Sequence, residues 1–215
     1  MIARALLVFL FISSSVYAAD PIRVAVAANF YLPAKQLVEA FSAQHDIQIT
    51  LHPGATGSLY HQITQGAPYH LFLAADEKRP RLLQQQGLSG ESETYALGYL
   101  ALWVPGQTVD LDWLKDYSGR LVIADAKLAP YGVAAEHLLN KIENSNNQII
   151  RALSVAQVLE YLNRGVISAG LLSAGQLAGK DYFQVPQEYY PPIVQQAVLL
   201  NSATDNADAQ IFWQF

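Results

Sequence analysis

IRVAVAANFYLPAKQLVEAF, residues 22–41, contains a strand-like run, an uncharged turn and the start of an amphipathic helix in immediate succession. Ile22–Ala27 alternates small and β-branched residues, which is typical of a buried strand. Pro33–His45 has apolar residues three and four apart, which predicts a helix. The turn Ala27–Phe30 therefore lies where a helix begins, and the stretch predicts one β-turn-α unit.

Further uncharged turns lie at predicted helix starts, and two of them also follow strand-like runs. They are Gly54–Ser58, Ala129–Gly132 and Leu153–Ala156. A helix N-terminus leaves four backbone N–H groups without intrahelical partners and carries a partial positive charge. Several such ends that converge on one point form an anion site without any Lys or Arg. The sequence therefore predicts a binding site for a small anion.

Strand-like and helix-like segments alternate along the chain, which is typical of α/β proteins with mainly parallel sheets flanked by helices. Two extended runs, Tyr95–Val104 and Gln187–Leu199, flank a central segment that has strand–helix units of its own. The simplest architecture has two lobes joined by two crossing strands, with the ligand in the cleft. We expect residues 19–98 and 194–215 to form lobe one and residues 99–193 to form lobe two.

Both ends of the sequence have distinct features. Arg4, an apolar run at residues 5–12 and Val16-Tyr17-Ala18 fit a secretory signal peptide over residues 1–18. The run is too short to span a bilayer, so secretion is favoured over a retained anchor. Asp208–Phe215 predicts a helix that has only begun, and we expect the last helix of lobe one to be truncated.

The composition excludes several classes of function. The net charge of −5 disfavours nucleic acid as a partner, and the absence of cysteine excludes disulfides and thiolate metal sites. The five histidines lack the i,i+4 spacing of a metal-binding helix. Neither a G-x-S-x-G elbow nor a phosphate-binding P-loop is present. We therefore expect no catalytic residue, no metal-cation ligand and no cofactor, and Asp76 is interpreted as a turn former.

The turns and the segments between them resemble the periplasmic molybdate-binding proteins of ABC transporters, which have the two-lobed type II fold of periplasmic binding proteins. The matching stretches occur in order over nearly the whole chain after residue 18. They are VAVAANF (24–30), GATGSLYHQI (54–63), GAPYHLFLAADEKRPRLLQQQGL (66–88), YALGYLALW (95–103), IADAKLAPYGVAAEHLL (123–139) and GLLSAGQL (170–177).

The resemblance implies which residues bind the oxyanion. Asn29 and Thr56 would donate from their side chains, and Tyr131 and Val155 from their backbone N–H groups. Ser173 stands where some members of the family have a ligand-binding Tyr. The other possible secondary donors are Ala28, Ala55, Gly57 and Ser154.

The resemblance also implies a periplasmic monomer that delivers molybdate or tungstate to a permease in the inner membrane. Three alternatives stay open at this point: a receptor for sulfate, phosphate or another oxyanion, a secreted α/β hydrolase, and a sensor whose closed form binds a signalling partner. The hydrolase is disfavoured because no nucleophile motif is present.

Overall fold

A computed structural model of the chain describes residues 20–143 and 148–215. The predicted signal peptide, residues 1–18, lies outside this range. Within the described residues, no helix is both long and apolar enough to cross a membrane.

The described chain forms two five-stranded sheets with helices packed around them, as expected for the two-lobed type II fold. The strands are β1 (Ile22–Ala27), β2 (Ile49–Gly54), β3 (Leu71–Leu73), β4 (Ser89–Gly98), β5 (Leu100–Trp103), β6 (Arg120–Ala124), β7 (Gln148–Ala152), β8 (Ala169–Ser173), β9 (Phe183–Gln184) and β10 (Ile193–Leu200). The helices are α1 (Tyr31–Ser42), α2 (Thr56–Thr64), α3 (Lys78–Gln85), α4 (Leu111–Asp116), α5 (Pro130–Lys141), α6 (Val155–Asn163) and α7 (Ala207–Gln214).

Each sheet with its helices is called a lobe below. The sheet of lobe one has the order β2-β1-β3-β10-β4, and the sheet of lobe two has the order β7-β6-β8-β5-β9. In each sheet the first three strands are parallel, as the strand–helix alternation predicts. The other two strands of each sheet pair antiparallel. Each sheet is therefore mixed. The four antiparallel strands β4, β5, β9 and β10 are the ones on either side of the two points where the chain passes between the lobes.

The run Tyr95–Val104, taken as one extended segment from the sequence, is two strands in two different sheets. β4 ends at Gly98, opposite Ile193 of β10, and β5 begins at Leu100, opposite Ser173 of β8. Only Tyr99 lies between them, and it is 44% exposed. The chain returns to lobe one between β9 and β10, so two crossings join the lobes.

Each lobe has an apolar core of its own, and the core of lobe two also includes Ala27, Ala75 and Ile193 of lobe one. In lobe two a single large cluster is built around the buried strands β5, β6 and β8. In lobe one, two smaller clusters cover the opposite faces of the sheet. One of them includes Phe212 of α7, whose ring packs edge-on against Phe41 at 5.0 Å between centroids. Each sheet is therefore a rigid base for the turns that follow its strands.

Candidate functional site

The four uncharged turns meet at one cavity between the lobes. Each turn connects the C-terminal end of a parallel strand to the helix that follows it. The C-terminal ends of parallel strands are the usual place for ligands in α/β sheets. The cavity is lined by Ala28, Asn29, Gly54, Ala55, Thr56 and Ala75 from lobe one and by Ala129, Pro130, Tyr131, Ser154 and Val155 from lobe two.

The cavity is small and its lining is neutral. The empty space among the lining residues, including its opening towards solvent, is about 190 Å³. None of these described lining residues carries a formal charge. Any attraction for an anion must therefore come from hydrogen-bond donors and helix dipoles. A nucleotide or a sugar phosphate is too large for this space.

Lobe one contributes side chains that are fixed by buried hydrogen bonds. The side-chain amides of Asn29 and of Gln195 on β10 meet end to end, with 2.8 Å between the two facing atoms. The same Gln195 amide atom lies 3.2 Å from the Tyr95 hydroxyl, which is also 3.0 Å from the carbonyl oxygen of Ala74. Asn29 and Gln195 expose only 6% and 3% of their surface. The network therefore holds the Asn29 side chain in one position at the cavity wall.

Thr56 is held in the same way at the start of α2. Its Oγ1 accepts a hydrogen bond from the backbone N–H of Ala75 at 3.2 Å, and the side chain is buried. A hydroxyl that accepts through its oxygen keeps its own proton for another acceptor. Within the described residues, Thr56 Oγ1 donates to no protein group. Thr56 can therefore donate to a ligand in the cavity.

Lobe two contributes backbone N–H groups at two helix N-termini. α5 begins with Pro130, which has no N–H, so Tyr131 provides the first free donor of that helix. α6 begins at Val155, and the Ser154 side chain caps it by accepting from Gln157 N at 3.3 Å. Among the described residues, no acceptor lies in hydrogen-bond range of the Tyr131 or Val155 N–H. Both donors border the cavity.

The Tyr131 side chain lies beside the first crossing between the lobes, next to Gly98. Its hydroxyl accepts a hydrogen bond from Ser173 Oγ at 3.0 Å. A Cβ at Gly98 would lie 2.4 Å from the same hydroxyl, so only glycine allows this approach. Burial raises the pKa of Tyr131 to about 12, although the Ser173 hydrogen bond opposes that shift. The phenol therefore stays neutral at physiological pH.

Direct hydrogen bonds also join the lobes at the edge of the cavity. The N–H of Gly57, in the second turn, donates to the carbonyl of Leu128 in lobe two at 2.8 Å. The Arg79 guanidinium, paired with Asp76, donates to the carbonyl of Lys127 at 2.9 Å. Asp76 Oδ1 also accepts from the Arg79 N–H at 3.0 Å, which fits its interpretation as a turn former. The second turn of lobe one is thus tied to the loop that precedes α5.

Most of the site residues predicted from the sequence come together in the structure. Asn29, Thr56, Tyr131 and Val155 line the cavity, as do Ala28, Ala55 and Ser154. The other two predicted secondary donors do not line it: Gly57 donates to Leu128, and Ser173 donates to Tyr131. Their hydrogen bonds are made to the protein.

Sequence reasoning missed the residues that support the site. Gln195 and Arg79 were not singled out, and Tyr95 was placed only at the start of an apolar extended run. Gln195 contacts Asn29, Tyr95 contacts Gln195, and Arg79 contacts the backbone of Lys127. A signal was present for Gln195: it lies between Ile193 and Ala197 at the buried positions of β10. A polar residue in a core-facing position usually has a specific hydrogen-bond partner.

Comparison with known proteins gives one consistent family. Residues 22–215 match the model of the family described as bacterial extracellular solute-binding protein. The chain is 36% identical to the molybdate-binding protein ModA of Rhodobacter capsulatus over 92% of its length and 83% of the relative's. ModA of Azotobacter vinelandii is also 36% identical, over 89% of this chain and 82% of the relative.

The structural comparison agrees. The solved periplasmic molybdate-binding protein of Azotobacter vinelandii superposes with a TM-score of 0.82 at 32% identity, over 90% of this chain and 91% of that protein. The family match over residues 22–215 includes all four turns. This chain belongs to the bacterial extracellular solute-binding protein family.

Proposed function

We propose that this protein captures molybdate, or the closely similar tungstate, in the cavity between its lobes and delivers it to the permease of an ABC transporter. The observation that carries the proposal is the neutral cavity at which the turns of both lobes present hydrogen-bond donors. The similarity to the two molybdate-binding relatives supports it. The protein acts after export to the periplasm, as a monomer without cofactor or catalytic activity.

Donors alone select an anion that carries no proton. Molybdate at neutral pH is fully deprotonated and only accepts hydrogen bonds, so donors from Asn29, Thr56, Tyr131 and Val155 suit it. Phosphate keeps a proton, and burying that proton without an acceptor costs about 1–3 kcal/mol. Sulfate has no proton but is smaller, so the same donors would stand beyond good hydrogen-bond distance.

Closure of the lobes completes the site. Asn29 and Thr56 come from lobe one, whereas Tyr131 and Val155 come from lobe two, so only the closed form offers all four contacts. The anion therefore shifts the population of the protein towards the closed form. The permease then distinguishes loaded from empty protein by the relative position of the lobes.

A thermal-shift panel tests the proposal. The protein without residues 1–18 is heated with equal concentrations of molybdate, tungstate, sulfate and phosphate. A ligand at a hundred times its Kd adds about 2.7 kcal/mol to the free energy of unfolding. We expect molybdate and tungstate to raise the melting temperature by several degrees and sulfate and phosphate to have little effect. A larger shift with phosphate or sulfate would overturn the molybdate assignment.

A further inference from the structure

The Tyr95 hydroxyl has two neighbours and one proton. It lies 3.0 Å from the carbonyl oxygen of Ala74 and 3.2 Å from the end of the Gln195 amide. A carbonyl oxygen can only accept, so the shorter contact takes the proton. Burial, followed by the nearby Tyr131 and Asp76, raises the pKa of Tyr95, and the hydroxyl keeps this proton. Its oxygen must therefore accept from Gln195.

The rest of the network follows from this direction. The two ends of a carboxamide have nearly the same shape, and hydrogen-bond partners decide which end is nitrogen. If Tyr95 accepts, the Gln195 atom beside it is the NH2 group. That same atom meets the end of the Asn29 amide at 2.8 Å, so the Asn29 atom there must be its carbonyl oxygen. Turning both amides over by 180° satisfies every contact without moving the side chains.

The consequence lies at the cavity. With its oxygen bound to Gln195, Asn29 has its NH2 group at the other end of the amide. Within the described chain that end makes no hydrogen bond, and Asn29 borders the cavity. In the opposite orientation, a carbonyl oxygen would be left at that end, and it would repel an anion. One hydrogen-bond direction at Tyr95 thus decides whether Asn29 offers a donor or an acceptor.

We propose that Tyr95 and Gln195 are specificity-determining residues that act through Asn29: they fix its amide with the NH2 group available to the ligand. Their role rests on the proposed function, because it explains how the site offers only donors to a proton-free oxyanion. Neither residue lines the cavity.

A neutron structure of the perdeuterated protein without added oxyanion tests the orientation directly. We expect two deuterons on the Gln195 atom that faces Tyr95 and none on the Asn29 atom that faces Gln195. Two deuterons on that Asn29 atom would overturn the proposal. Since no ligand is present, this result is independent of which anion the protein binds.

Titration calorimetry of three variants tests the consequence for specificity. In Tyr95→Phe the acceptor is gone and both amides are free to turn over. Molybdate affinity should then fall about 3- to 10-fold, while phosphate, whose proton the turned Asn29 can accept, should lose less. Equal losses for both anions would show a merely structural role and would overturn the proposal. If wild-type protein binds neither anion, the proposed function fails while the neutron result stands.

Gln195→Glu forces the opposite orientation, because a carboxylate can only accept. We expect molybdate affinity to fall about 100-fold or more. Gln196→Glu is the matched control: it places the same charge on the next residue of β10, whose side chain contacts Ser92 and Thr94 instead. Similar losses in both variants would mean that charge alone, and not the Asn29 orientation, sets the affinity, and the proposal would fail.

Discussion

The two lobes build their halves of the cavity by different means. Lobe one presents side chains, Asn29 and Thr56, each held by a buried hydrogen bond to another part of its own lobe. Lobe two presents backbone N–H groups of Tyr131 and Val155, positioned by the starts of α5 and α6. Substitutions can therefore remove a donor directly in lobe one, whereas in lobe two most substitutions leave the donor in place.

The difference has a physical basis in the two pairs of turns. α5 and α6 begin with Pro130 and with a Ser154 cap, so each helix starts at a fixed residue and its first free N–H points out of the helix end. α2 has no side-chain cap, and the N–H of Gly57 is used by Leu128 of the other lobe. In the turns of lobe one, the proposed donors to the anion are therefore side-chain groups: the Thr56 hydroxyl and the Asn29 amide.

Among substitutions of the four proposed donor residues, the largest loss of affinity is expected for Thr56→Ala and Asn29→Ala in lobe one. Each variant removes a donor to a charged ligand, worth about 1.5–3 kcal/mol, or roughly 10- to over 100-fold in Kd. Thr56→Ala also leaves the buried N–H of Ala75 without its acceptor, so the free energy of unfolding should fall as well.

Calorimetric titration with molybdate measures these losses. Thr56→Ser, which keeps the hydroxyl, is the control and should retain most of the affinity. If both alanine variants bind as tightly as wild type, these side chains only shape the turns, and lobe one is not the side-chain half of the site.

The sharpest test of lobe two is Val155→Pro paired with Val155→Ala. Proline at the first position of a helix keeps the backbone shape and removes only the N–H. Ser154, which precedes it, has the extended backbone that a residue before proline prefers. We expect Val155→Pro to lose about 10-fold or more in molybdate affinity and Val155→Ala to lose little. Equal behaviour of the two variants in the same titration would remove the Val155 N–H from the site.

The turns could be predicted from the sequence because the information is local. Asn29 and Thr56 lie at predicted strand–helix junctions and Val155 at a predicted helix start, which hydrophobic periodicity places within a few residues. The strand before Val155, β7, was not predicted. The network behind Asn29 could not be predicted, because Gln195 is 166 residues away along the chain. Arg79 was missed for a related reason: its acceptor is a backbone carbonyl in the other lobe, which no side-chain pattern reveals. Tyr95–Val104 was treated as one extended run because periodicity does not show that two consecutive strands belong to different sheets.

A smaller effect is expected from the contact between the lobes. Arg79→Ala removes the hydrogen bond to Lys127, a net contribution of about 0.5–1.5 kcal/mol to closure, or roughly 2- to 12-fold in molybdate Kd. Weaker closure should weaken the contacts from both lobes to the anion, because closure brings the two sets of donors together. Arg81→Ala, an exposed arginine on the same helix, is the control. An unchanged Kd in Arg79→Ala would show that the anion closes the lobes without this contact.

The smallest effect on affinity is expected for Ser173→Ala. Ser173 binds the Tyr131 hydroxyl, whereas the proposed donor to the anion is the backbone N–H of the same tyrosine. The variant should therefore lower the free energy of unfolding by about 1 kcal/mol and change the molybdate Kd by less than about threefold.

Chemical denaturation and titration of Ser173→Ala, Tyr131→Phe and the double variant measure the two quantities separately. The two substitutions should be coupled in stability, because they remove the two ends of one hydrogen bond, and nearly uncoupled in affinity. A loss of affinity in Ser173→Ala as large as that in Thr56→Ala would contradict this division. β8 would then lie against the anion, and lobe two would contribute a side chain after all.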